Sequence, residues 1–466
     1  MAPTRRTACI VHRADSRHSS TDRSHRATRA VLTVGLLLPV FTLGCGQDNN
    51  TPQPAILRAS VATGGVEAVG GISGTPAVSG DGRIVAFASL ATNLVPNDTN
   101  GQADVFVYDV GTGQTTRVSV VTGGGQATGG SSRAPALSAD GRYVAFESDA
   151  TNLVANDTNT ATDIFVHDRV TGETSRVSLD NSGAQTIGFG SFSPAISADG
   201  AQVAFVSSAT NLVLADTNGL SDIFVRDRNA NVTTRVSVVT GGGQATGPTG
   251  STDPSLSADG RYVAFASAAT NLVSGDTNGR SDIFVHDRVT GTTERVSLGA
   301  NGAQATGGDS EHPSINGDAT VITFDSTATN LVSGDTNGLR DVFVRDRSGN
   351  ATSRVSVGAG GAQATGDSSL RNGALSQDGR FVAFRSAAAN LVSDDTNNAT
   401  DIFAHDRTTN LTTRQSLAAA GEEATGNSTD AVISGNGAVI VFDSDAGNLV
   451  PQDTNNLLDV FLVIRR

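Results

Sequence analysis

One unit of about 59 residues recurs seven times along this chain, and that repetition limits the fold more than any single motif does. A turn doublet, Asp-Gly in most copies, brings Asp81, Asp140, Asp199, Asp259, Asp318 and Asp378 into register, with Asn436 in the seventh copy. Successive separations are 59, 59, 60, 59, 60 and 58 residues. Asp98, Asp157, Asp216, Asp276, Asp335, Asp395 and Asp453 keep the same step, and so does a third series running from Asp104 to Asp459. A chain of 466 residues would ordinarily suggest several domains, but a repeat array grows as one.

Each unit reads as four short strands. In the second they are residues 134–138, 143–148, 163–168 and 174–179. Asp140-Gly141 joins the first two, because glycine tolerates the positive φ of a tight hairpin, and Val170-Thr171-Gly172 joins the last two. Fourteen of the 18 Phe occupy two fixed places per unit, one on the second strand (Phe146 here) and one on the third (Phe165). Such regularity predicts a core packed between units. Four antiparallel strands in each of seven units predict an all-β, seven-bladed β-propeller.

The two ends of the array complement each other. Ile56-Leu57-Arg58-Ala59-Ser60-Val61 matches the fourth strand of later units, such as Thr234-Arg235-Val236-Ser237-Val238, and the seventh unit stops after its third strand. The leading strand is therefore expected to complete the last blade and cover its edge. The propeller is assigned to residues 56–466.

The motif Ser138-Ala139-Asp140-Gly141-Arg142-Tyr143-Val144-Ala145-Phe146, with Asp163-Ile164-Phe165-Val166-His167-Asp168, resembles the TolB-type, WD-like repeat of bacterial envelope propellers. That resemblance implies a binding, scaffolding or gating propeller. It does not extend to a Tol-Pal assembly, since the loop between second and third strands is unusually long here.

Residues 1–29 carry seven Arg, and residues 30–43 form an apolar run too short to span a membrane. A signal peptide is expected over residues 1–44 and a flexible tether over 45–55. Thr42-Leu43-Gly44-Cys45 resembles a bacterial lipoprotein signal, which implies lipidation at Cys45. Export to the cell envelope, or secretion, follows from this reading.

Formal charge is −14, and without residues 1–44 it becomes −19, from 25 basic and 44 acidic residues. Such a body repels phosphate backbones, so nucleic acid is excluded as a partner, and a membrane contact is expected only through a lipid anchor. Cys9 and Cys45 both precede the repeats, which excludes a disulfide or thiolate-metal framework in the propeller. A monomer is expected.

The long loops and the blade-to-blade connections emerge on one face, so function is expected there. Asp98, Asn100 and Asp104, and equally Asp276, Asn278 and Asp282, present hard oxygens at relative positions 1, 3 and 7, a partial calcium pattern. Side-chain capping of turns explains the same residues and is preferred, so no cofactor is expected beyond possible calcium. The recurrent Gln126, Gln244, Gln304 and Gln363 suggest a structural hydrogen bond. His167, His286 and His405 share one strand position with Arg and Tyr of other blades and are read as an exposed edge.

Residues that differ between blades are free to be specific. Arg133, Asp253, Glu311, His312, Arg371 and Asp430 precede the inner strands and are expected to line the channel mouth as ligand-binding candidates. With no Gly-x-Ser-x-Gly elbow, no catalytic residues are assigned. The expectation is a non-catalytic binding or scaffolding propeller for a protein or polysaccharide ligand. The alternative is an extracellular carbohydrate-active enzyme with a carboxylate pair such as Asp253 and Glu311 across the channel.

Overall fold

A computed structural model describes residues 55–465. Residues 1–54, with the apolar leader and Cys45, lie outside the described residues.

Seven four-stranded antiparallel sheets make up the structure, apart from a two-stranded pair, Val61–Ala62 with Val66–Glu67. Blade 2 illustrates the unit: Ser132–Leu137, Tyr143–Ser148, Asp163–Asp168 and Glu173–Arg176, in that order from channel to rim. Second and third strands are buried almost throughout because both of their faces are covered by neighbouring blades. In every blade the two repeated Phe rings lie 5.8–6.0 Å apart. One continuous cluster holds Val105 and Val107 of blade 1 with Phe146 and Phe165 of blade 2, so the core sits between blades.

Closure follows the complementary ends. Ala55–Arg58 pairs antiparallel with Asp459–Ile464, matching Ala55 to Ile464 and Arg58 to Phe461, so blade 7 combines both ends of the propeller. Ser60 Oγ donates to Asp459 Oδ1 at 2.5 Å, the bond that Ser119 makes to Asp104 in blade 1.

The tight hairpins lock neighbouring blades together. Gly141 takes φ +67°, and a Cβ there would lie 2.6 Å from Ile84 of blade 1, so glycine serves both the turn and the blade packing. Blade 5 departs from the repeat, since Ala319 follows Asp318 and adopts φ 60° at the glycine position. Beside these turns a belt of backbone hydrogen bonds circles the channel: Gly80 N to Ala139 O, Ala139 to Ala198, Ala198 to Ala258, Ala258 to Gly317, Gly317 to Gln377, Gln377 to Gly435, and Asn436 back to Gly80, at 2.8–3.0 Å.

Inner strands are bulged. Pairing with the second strand breaks between Arg133 and Ala136, and at equivalent places in five other blades. At the break Thr75, Ala134, Ser193, Asp253, His312 and Asp430 take φ of 49–54°. Proline follows in five of these blades, where its missing N–H removes a donor that the bulge would leave unpaired. Blade 6 differs. The serines that join first and second strands are 16 residues apart in Ser132–Ser148 but 18 apart in Ser368–Ser386. Its inner strand is only Ser368–Ser369, and Leu370 to Gly373 form an inserted loop.

Candidate functional site

The inner strands enclose a funnel of about 470 Å³ that opens on the long-loop face. Its narrow end is a waist of Val78, Leu137, Ile196, Leu256, Ile315, Leu375 and Ile433, beyond which a smaller cavity of about 140 Å³ lies at the hydrogen-bonded belt. The walls are unequal. Blades 1 to 3 contribute Pro76, Ala134, Pro135, Ser193 and Pro194, whereas blades 4 to 7 contribute Asp253, His312, Arg371, Asn372, Arg385 and Asp430.

Four of the six variable residues singled out from sequence thus line the funnel: Asp253, His312, Arg371 and Asp430. Arg133 and Glu311 do not. They precede the bulge by one residue, and strand alternation turns them toward the second strand. Arg133 Nε lies 2.7 Å from Glu147 and its Nη1 2.8 Å from Asp149, while Glu311 pairs with Arg340 at 2.7 Å. Arg371 is not equivalent to the others, for it belongs to the blade 6 insertion. From that loop Asn372 Nδ2 reaches across to Pro254 O at 3.2 Å.

On the funnel wall and behind it stand charges that the sequence reading missed. The second-strand position after the repeated Phe holds Ala88, Val206 and Ala266 in three blades, but Glu147, Asp325, Arg385 and Asp443 in the others. Glu147, Asp325 and Asp443 are buried, and each accepts a backbone N–H from the next blade: Ser193 at 3.0 Å, Leu370 at 2.9 Å and Thr75 at 3.4 Å. Setting the seven units side by side at this position would have found them.

Blade 5 carries the densest group. Asp325, fully buried, receives Arg340 on Oδ1, and its Oδ2 lies 3.0 Å from His312 Nδ1. The bond to Asp325 holds the His312 imidazolium above the ordinary histidine range, with further support from Asp253 and Glu311. Glu311, His312 and Asp325 are close enough to hold a cation together, but Arg340 already bridges both carboxylates. In blade 7 burial, reinforced by Asp430, pushes the Asp443 carboxyl up to about 6. Asp430 itself pairs with Arg371.

The calcium-like loops hold a different cation. Arg117 Nη1 lies 3.0 Å from Asp98 and 3.1 Å from Asp104, and Asn100 turns its amide nitrogen to Asp104 at 2.9 Å. Arg295 stands likewise between Asp276 (3.2 Å) and Asp282 (3.4 Å), with Asn278 on Asp282. This arginine comes from the fourth strand, and its counterparts from Arg58 to Arg414 pair with the same two aspartates in every blade. Gln126 accepts from Arg117 at 3.0 Å, which is the structural role expected of it. The histidines read as an exposed edge are instead buried: His167, His286 and His405 each bond a fourth-strand threonine through Nδ1, at 2.9, 2.9 and 3.0 Å. Fourth strands are covered by the blade-to-blade connections, so this position faces inward.

No protein-family profile and no curated protein sequence matches the chain. Solved structures share its fold. Oligogalacturonate lyase from Vibrio parahaemolyticus is similar at 11% identity over 88% of this chain and 97% of that one, with a TM-score of 0.49. The β-propeller domain of the Trilobed protease from Pyrococcus furiosus, described as an open velcro, is similar at 10% identity over 84% and 95%, with a TM-score of 0.50. A TolB from Agrobacterium tumefaciens is similar at 17% identity over 61% and 80%, with a TM-score of 0.37. The chain is a seven-bladed β-propeller, the architecture its repeat motif implied. The expectation of a non-catalytic binding or scaffolding propeller does not stand. The same architecture occurs as the β-propeller domain of a protease, so the fold alone supplies no ground for setting catalysis aside.

Proposed function

We propose that the chain is an acid–base enzyme acting on a small, polyhydroxylated, carbohydrate-like substrate bound in the funnel. The observation that carries this reading is the pairing of His312, which lines the funnel, with the buried Asp325 behind it. A carboxylate on Nδ1 fixes the ring and leaves Nε2 to exchange a proton with a ligand. The funnel is of the size of small-molecule sites. Its proline-rich wall suits the C–H face of a sugar ring, and the charged wall opposite suits the hydroxyls.

The test is turnover of a panel of oligosaccharides by the purified chain, followed by reducing-end and ultraviolet assays. His312→Gln is expected to lower the rate by roughly 100-fold or more, the usual worth of a positioned acid or base. Absence of turnover, or full activity in that variant, would reject the reading.

Export and lipidation at Cys45 remain part of the proposal. Labelled palmitate should enter the protein in a bacterial host and fail to enter Cys45→Ser.

A further inference from the structure

Blade 6 is where the repeat is most altered, and all its alterations meet at the funnel wall. Two extra residues replace the bulge, Arg371 and Asn372 turn into the funnel, and Arg385 stands where other blades carry Ala, Val, Asp or Glu. The fold does not require that arginine, since six blades close without one.

Its pairing is also unlike that of its neighbours. Arg371 is paired with Asp430, and Arg340 with Glu311 and Asp325. Arg385 lines the funnel, is exposed to it, and donates from Nε to Ser369 Oγ at 2.7 Å. That bond orients the guanidinium, while its terminal nitrogens meet no carboxylate among the described residues. With Nε engaged, the Nη1–Nη2 edge of the planar guanidinium is left to match a planar carboxylate.

We propose that Arg385, set by Ser369, anchors a carboxylate of the funnel's ligand, so that the ligand is an acidic sugar or a similar hydroxylated monoacid. One unpaired guanidinium supplies a single positive charge. Asp253 and Asp430 on the same wall oppose a second negative charge, which favours a monoanion over a phosphate dianion. The inference rests on reading the funnel as the substrate site.

Calorimetric titration of the full chain with glucuronate, glucose and inorganic phosphate tests it. Glucuronate is expected to bind at least tenfold more tightly than glucose or phosphate. Arg385→Gln should erase the preference without moving the melting temperature, and Arg385→Lys should keep part of it. Equal binding of the two sugars, no binding of glucuronate, phosphate binding as tightly as glucuronate, or a preference that survives Arg385→Gln would overturn the proposal. His312→Gln separates the two readings, because it should lose turnover and keep the preference. If it keeps turnover while Arg385→Gln loses the preference, the acid–base role fails and the carboxylate anchor stands.

Discussion

His312 Nδ1 and Asp325 Oδ2 lie 3.0 Å apart across the first two strands of blade 5, joining a residue of the funnel wall to a carboxylate that water does not reach. The bulge makes this contact possible, because its positive φ swings the His312 side chain off the regular alternation of the strand.

The imidazole should therefore titrate above the ordinary histidine range, with Asp325 as the main cause. Proton NMR of the ring against pH is expected to show this, and Asp325→Asn should bring the titration down. A raised histidine pKa adds stability that is complete at low pH and is lost as pH rises through the folded-state value. The variant should lose the most stability on the acid side of neutrality.

Blade 7 depends on residues 55–58 for its outer strand. Deleting residues 55–61 would strip the hydrogen-bonding edge of Asp459–Ile464 and remove Arg58 from between Asp453 and Asp459. The truncated protein should melt earlier and associate, as judged by light scattering after size exclusion. A monomer with unchanged melting would contradict the closure seen here.

Arginine between the paired aspartates leaves little for calcium to gain. The melting temperature is expected to be indifferent to millimolar calcium and to chelator. Arg295→Ala should cost about 3 kcal/mol, read by denaturant titration, because it leaves Asp276 and Asp282 together without their cation. Calcium should then stabilise that variant, and only that one, by linkage.

The buried Asp443 predicts the opposite pH dependence to that of a paired surface carboxylate. Its folded-state value of about 6 lies above the ordinary 3.8, so the folded protein holds this proton more tightly than the unfolded chain. Stability from this group is greatest below about pH 4, declines as pH rises toward 6, and is flat beyond. Asp443→Asn should remove that decline and raise stability at pH 7 to 8 by roughly 2 kcal/mol, measurable by urea denaturation.

Periodicity made the fold legible. Three aspartate series, the Phe pairs and the split last blade all came from counting, and each corresponds to a feature of the propeller. The site was legible only in part, because counting ranks positions by variation but does not say which way a side chain points. Arg133 and Glu311 vary as much as Asp253 and His312, yet one step along a bulged strand sends them away from the funnel. Asp325 and Asp443 sit inside the best-repeated strand, where attention to the invariant Phe hides the neighbour that changes. The Asp98 loop looked like a ligand set because its true partner, Arg117, lies 19 residues on, and repeats in step with it.

The waist carries a consequence for traffic. Seven aliphatic side chains, one from each blade, separate the funnel from the small cavity at the belt. A charged or heavily hydroxylated molecule would have to shed its water to pass them, at a cost of several kcal/mol. Polar cargo is therefore favoured to leave the funnel by the mouth it entered, so that departure competes with the arrival of the next molecule.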